Sequence, residues 1–121
     1  MLPALLLAEA AQARPLTTTP SLTLDVHVAL TDTRIVLDRH SAPRGVEARF
    51  VIKNTGTKEH NFTLNGTTTP TGVRQGFSRT LKPQQRVIAR IFLDRRSRIP
   101  YLDSLPADRS KPGMRGLFVI S

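Results

Sequence analysis

From residue 22 onward, apolar and polar side chains alternate with a period of two. Leu22, Leu24, Val26 and Val28 fall on one side, and Thr23, Asp25 and His27 on the other. That period belongs to a strand with one buried face. A short extended run follows over 34–37. Pro43 and Gly45 mark 38–45 as a turn region. Val46, Ala48, Phe50 and Ile52 then resume the alternation, and Asn54-Thr55-Gly56 closes it. His60 to Leu64 is the next strand, ended by Asn65-Gly66. Residues 67–72, with Pro70, read as a loop, and 78–81 as a short extended piece. The turn Lys82-Pro83-Gln84-Gln85 leads into 86–93. There Val87, Ala89, Ile91 and Leu93 alternate with Arg86, Ile88, Arg90 and Phe92. The last strands lie at 99–102 and 115–120.

No stretch from 21 to 121 carries a helical period. About eight short strands between turn signals predict an all-β fold. The expected form is an antiparallel Greek-key β-sandwich or barrel. The chain divides into 1–20 and a single domain at 21–121. At 121 residues it is long enough to bury one core without disulfides or a structural metal. Residues 2–8 are apolar but too few to span a bilayer. Ala11-Gln12-Ala13 has the small-residue form of a signal cleavage site. Residues 1–20 are therefore expected to be the remnant of a signal peptide or a disordered leader, and the protein to be secreted, periplasmic or in the cell envelope.

The chain has no cysteine. This excludes disulfides, zinc-thiolate sites, iron–sulfur clusters and a cysteine nucleophile. Catalysis has no foothold either: there is no Gly-x-Ser-x-Gly elbow, no phosphate-cradling glycine loop and no His-Glu-x-x-His. The protein is not expected to be an enzyme. Its net charge of +9 favours acidic partners, such as an acidic protein or an anionic envelope polymer. Nucleic acid is disfavoured, because one tyrosine and five phenylalanines make a poor stacking platform.

Two blocks carry a family resemblance. The first runs from Phe50-Val51-Ile52-Lys53-Asn54 through Gly56 to His60-Asn61-Phe62. The second runs from Tyr101-Leu102-Asp103 through Pro106-Ala107-Asp108 to Gly113-Met114-Arg115-Gly116. Together they resemble the signature blocks of the cupredoxins, the small blue-copper proteins. In that family the first block supplies a histidine ligand. The second supplies cysteine, histidine and methionine, patterned Tyr-x-Cys-x-x-Pro-x-His and Gly-Met-x-Gly. The resemblance implies ligand positions at His60, Asp103, Asp108 and Met114, with Asn54 supporting the ligand loops. It also implies the same Greek-key fold and, as a family trait, electron transfer.

Two of those ligands have changed. Asp103 stands at the cysteine position and Asp108 at the second histidine. A type 1 centre needs a copper–thiolate bond, so it is not expected here. The expectation is no cofactor, and a binding or structural module without a type 1 centre. In it, His60, Asp103 and Asp108 would form an ionic cluster. Protonated His60, or a cation such as Arg109, would supply the positive charge. The alternative is a non-blue site for copper(II) or zinc through His60, Asp103, Asp108 and Met114, serving copper storage or handover. Met114 alone is equally an ordinary soft core residue.

The remaining candidates are weaker. Arg86 and Arg90 share a strand face and, with Arg95, Arg96 and Arg98, are expected to form a basic patch or simply a solvated surface. His27 and His40 have no partnered spacing. The sequons Asn61-Phe62-Thr63 and Asn65-Gly66-Thr67 read as chance matches.

Overall fold

A computed structural model describes residues 22–68 and 74–121. The leader expected at 1–20 and most of the loop expected at 67–72 lie outside the described residues. Among the described residues nine strands form: β1 (Thr23–Leu30), β2 (Ile35–Leu37), β3 (Ser41–Ala42), β4 (Val46–Asn54), β5 (His60–Thr68), β6 (Arg74–Leu81), β7 (Arg86–Leu93), β8 (Ser97–Leu102) and β9 (Arg115–Ile120). A 3₁₀ turn at Pro112–Met114 precedes β9.

The strands make two layers. One has the order β2-β1-β4-β7 and the other β6-β5-β8-β9-β3. Among the described residues a single pairing, Thr68 with Phe92, joins them. The chain crosses between layers after β2, β3, β4, β6 and β7, the habit of a Greek-key sandwich.

The period-two pattern sets the buried face. In β4, Val46, Ala48, Phe50 and Ile52 point inward, as do Ala89, Ile91 and Leu93 in β7. Four aromatic rings fill the gap between the layers. Phe50 meets Phe118 edge-on at 5.3 Å and Phe62 at 6.3 Å, and Phe62 lies 5.9 Å from Tyr101. Burying each such ring is worth about 1.5–3 kcal/mol, so these rings are a major part of the core.

Three expectations need correction. First, the sandwich is not wholly antiparallel: β1 runs parallel to β4, and β3 parallel to β9. The chain leaves the first layer through β3 and returns as β4 beside β1 in the same direction. Second, β3 has only two residues, too short to show a period inside the 38–45 turn region. Third, Asn65-Gly66 does not end its strand. It forms a bulge between Leu64 and Thr67, and β5 continues to Thr68. A glycine within a strand is a common mark of a bulge.

Candidate functional site

At one end of the sandwich three connections converge: residues 31–34 after β1, 55–59 after β4, and 103–114 between β8 and β9. Asn54 fixes the second of these. Fully buried, it donates through Nδ2 to Lys58 O (2.8 Å) and Leu81 O (2.9 Å), and its Oδ1 accepts from Gly56 N (2.9 Å). Its backbone carbonyl accepts from Gln84 N. Asn54 thus ties the loop before His60 to the end of β6. Asn54→Ala leaves these groups unpaired in a dry place. It is expected to cost about 1–3 kcal/mol, measurable by urea denaturation.

The third connection is pinned in two ways. Asp103 N donates to Met114 O (2.9 Å), and Leu105 N donates to Asp103 Oδ1 (3.0 Å). Turns at Leu105–Asp108 and Asp108–Lys111 follow, with Asp108 N on Leu105 O and Lys111 N on Asp108 O. Gly113 lies against Thr33 O and Arg34 Cβ, with no room for a Cβ of its own. The third connection therefore rests directly on the first.

These supports bring His60, Asp103, Asp108 and Asp32 together. His60 Nδ1 lies 3.1 Å from Asp103 Oδ2 and 3.0 Å from Asp108 Oδ2. On the other side of the ring, Nε2 lies 2.8 Å from Asp32 Oδ1. Asp108 Oδ1 accepts from Lys111 Nζ at 2.9 Å. Asp32 also accepts from Thr57, through its N–H (3.0 Å) and its hydroxyl (2.7 Å). His60, Asp103 and Asp108 are buried, and Asp32 sits at the rim.

The charges follow from this geometry. Ionised carboxylates only accept hydrogen bonds, so an imidazolium donating from both nitrogens satisfies Asp32 on one side and the buried pair on the other. Burial opposes a charge on His60. The hydrogen bonds to Asp32, Asp103 and Asp108 outweigh it and hold the imidazole above its ordinary range. Burial pushes Asp103 up, against the hydrogen bond from Leu105 N. Burial also acts on Asp108, but Lys111, then Asp103 and His60, hold it below the usual carboxylate range. The His60 hydrogen bond, aided by Thr57, lowers Asp32.

The structure thus places three expected residues in contact and adds two. Asp32 had no signal beyond a Thr31-Asp32-Thr33 turn, because its partner is 28 positions away. The cation beside Asp108 is Lys111, not Arg109. The turn puts Lys111 over the carboxylate, whereas Arg109 is exposed and its carbonyl accepts from Arg115. Met114 is buried at the end of the 3₁₀ turn.

No family model matches the sequence, and no curated protein matches it. Solved structures do. Rusticyanin from Thiobacillus ferrooxidans superposes with a TM-score of 0.64 at 14% identity, covering 86% of this chain and 80% of that one. Auracyanin from the photosynthetic bacterium Roseiflexus castenholzii gives 0.57 at 14% identity, covering 85% and 99%. The multicopper oxidase from Campylobacter jejuni gives 0.58 at 12% identity, covering 85% of this chain and 30% of that chain. The fold is cupredoxin-like.

A blue centre does not fit this cupredoxin-like end, because the chain offers no thiolate. What converges instead is one imidazole nitrogen and two carboxylates, with ligand atoms within 4.8 Å of one another. Two hard carboxylates and a borderline imidazole are compatible with copper(II) or zinc.

The other expected residues lie elsewhere. Arg86 and Arg90 are on the outer face of β7, and Arg95, Arg96 and Arg98 lie at the β7–β8 turn and the start of β8. All five are exposed. Arg90 approaches Glu47 at 3.6 Å and Arg95 approaches Asp94 at 3.9 Å. His27 is exposed and paired with Asp38 at 2.9 Å, and His40 is exposed. Asn61 is buried, with Nδ2 3.2 Å from both Ser78 Oγ and Thr80 Oγ1.

Gly56 completes the network. A Cβ there would strike Asp32 Oδ1 and crowd His60 Nε2. Gly56→Ala is expected to push Asp32 off the ring and cost about 1–3 kcal/mol, as overpacking does. In NMR spectra the imidazole N–H facing Asp32 should then exchange faster with solvent.

Proposed function

We propose that this is an extracytoplasmic cupredoxin-like domain without a type 1 copper centre, acting as a binding or structural module. Its loop end is held by the Asp32–His60–Asp103–Asp108–Lys111 network in the place a metal would take. One observation carries this reading: both nitrogens of a buried imidazole face carboxylates, and each carboxylate has a further donor of its own. The network closes without a cation from outside. The apolar residues 2–8 followed by Ala11-Gln12-Ala13 support export. No helix among the described residues is long and apolar enough to cross a membrane.

A second reading is favoured by the convergence of three donors: weak binding of copper(II) or zinc by His60, Asp103 and Asp108, with Met114 nearby in sequence. The metal would have to displace the Nδ1 proton. Tetrahedral bonds of about 2.0 Å also set donors about 3.3 Å apart, wider than the 3.0 and 3.1 Å found. The site would open slightly on loading. The metal would act there as a charge that ties the loops or as cargo.

Asp108→Ala separates the two. In metal-free buffer the first reading expects a stability loss of about 1–3 kcal/mol. No loss without metal, together with a loss only in added copper(II) or zinc, would favour the second. Elemental analysis of the purified protein and calorimetric titration with each ion complete the test.

A further inference from the structure

The two layers differ in charge. The strands β3, β5, β6, β8 and β9 contain no aspartate or glutamate. In the other layer, two of the outward arginines have acids beside them: Arg49 lies 3.2 Å from Asp25 and Arg90 lies 3.6 Å from Glu47. On the outer face of β8 and β9, strand pairing sets three rows. Arg98 is beside Val119, Pro100 beside Leu117, and Leu102 beside Arg115. Leu117 is 47% exposed and Val119 37%. A shallow cavity of about 330 Å³ is bordered by Pro100, Leu102, Arg115 and Leu117. Neither Arg98 nor Arg115 pairs with an acid among the described residues.

The face is therefore an apolar strip with a guanidinium at each diagonal corner. The corners are four residues apart along the strands, about 13 Å at 3.3 Å per residue. We infer that this face docks an acidic segment of a partner protein in extended form, with two carboxylates four residues apart and an apolar side chain between them. Such a segment puts residues i, i+2 and i+4 on one face, matching acid, apolar and acid to Arg115, the strip and Arg98. The exposed apolar rows gain by leaving water, and arginine pairs well with carboxylates. A second copy of this chain is the wrong occupant, because two bodies of charge +9 repel. Nucleic acid would find no exposed aromatic ring on these rows to stack against. The inference gives content to the binding half of the proposed function and does not involve the His60 network.

The test titrates the isotope-labelled full chain with the capped peptide Thr-Glu-Thr-Val-Thr-Glu-Thr and follows amide shifts. Shifts are expected at Arg98, Arg115, Leu117 and Val119. They should weaken as salt is raised from about 0.05 to 0.3 M. The double variant Arg98→Glu/Arg115→Glu should bind about tenfold or more weakly, with an unchanged melting temperature showing that it folds. Absence of shifts at millimolar peptide, shifts confined to other faces, or equal binding by the double variant overturns the inference. Movement of the same amides by phosphatidylglycerol vesicles or an oligonucleotide, but not by the peptide, also overturns it and assigns the face to a membrane or to nucleic acid.

Discussion

His60→Ala is expected to lower the stability of the domain by about 3–5 kcal/mol in metal-free buffer near pH 6, the range for removing one partner of a buried ion cluster. The imidazole is 1% exposed and Asp103 is fully buried. Without the ring, Asp103 and Asp108 face each other with only Lys111 to compensate, and Asp32 loses its ion-pair partner. For a domain of this size each kcal/mol moves the melting temperature by about 4–8 °C, so a fall of at least about 12 °C is expected. A cavity alone would also destabilise, so a second variant is needed. Replacing His60, Asp103 and Asp108 together with leucine removes the charges along with the ring. Exchanging a buried ion cluster for apolar groups is often neutral or better. Recovery of most of the loss in the triple variant would assign the effect to uncompensated charge. A loss below about 1 kcal/mol for His60→Ala would contradict the network as a lock.

Much of this end was legible in the residues. Period-two alternation at 22–28, 46–52 and 86–93 placed three of the five long strands and their buried faces, because a sandwich buries one side of each strand. The two blocks around His60 and Asp103–Met114 named residues that meet within 3.1 Å although 43 positions apart. What stayed hidden was long-range. The parallel pairing of β1 with β4 leaves no local mark, since a strand's pattern is the same in either direction. Asn65-Gly66 has the same letters whether it turns a hairpin or bulges a strand. Asp32 is a turn residue by type, and only the closure of the fold carries it to His60 Nε2. Lys111 rather than Arg109 reaches Asp108 because successive turns bring residue 111 back over the carboxylate.

Stability is expected to peak between about pH 4 and pH 6.5 and to fall on both sides, and the alkaline side distinguishes the two readings of the site. The folded value for His60 lies above its ordinary 6.5. Its contribution is therefore complete below pH 6.5 and is lost as pH rises through the raised folded value. Asp103 acts in the same sense: its folded value is above the ordinary 3.8, so the proton it holds favours the folded state until pH passes that value. Asp32 and Asp108 act in the opposite sense. Both lie below 3.8 when folded, so their contribution is present above that pH and fades as acid titrates them. Urea denaturation from about pH 3 to 9 measures this profile, and His60→Gln should remove most of the alkaline limb. A wild-type profile flat from pH 6 to 9 would contradict the imidazolium. A bound copper(II) or zinc ion reverses the sign on this side. The metal needs Nδ1 without its proton, so its affinity, and the stability it adds, rise with pH. Saturating metal should then flatten or invert the alkaline limb if the ion enters at His60, and leave it unchanged if the network stays closed.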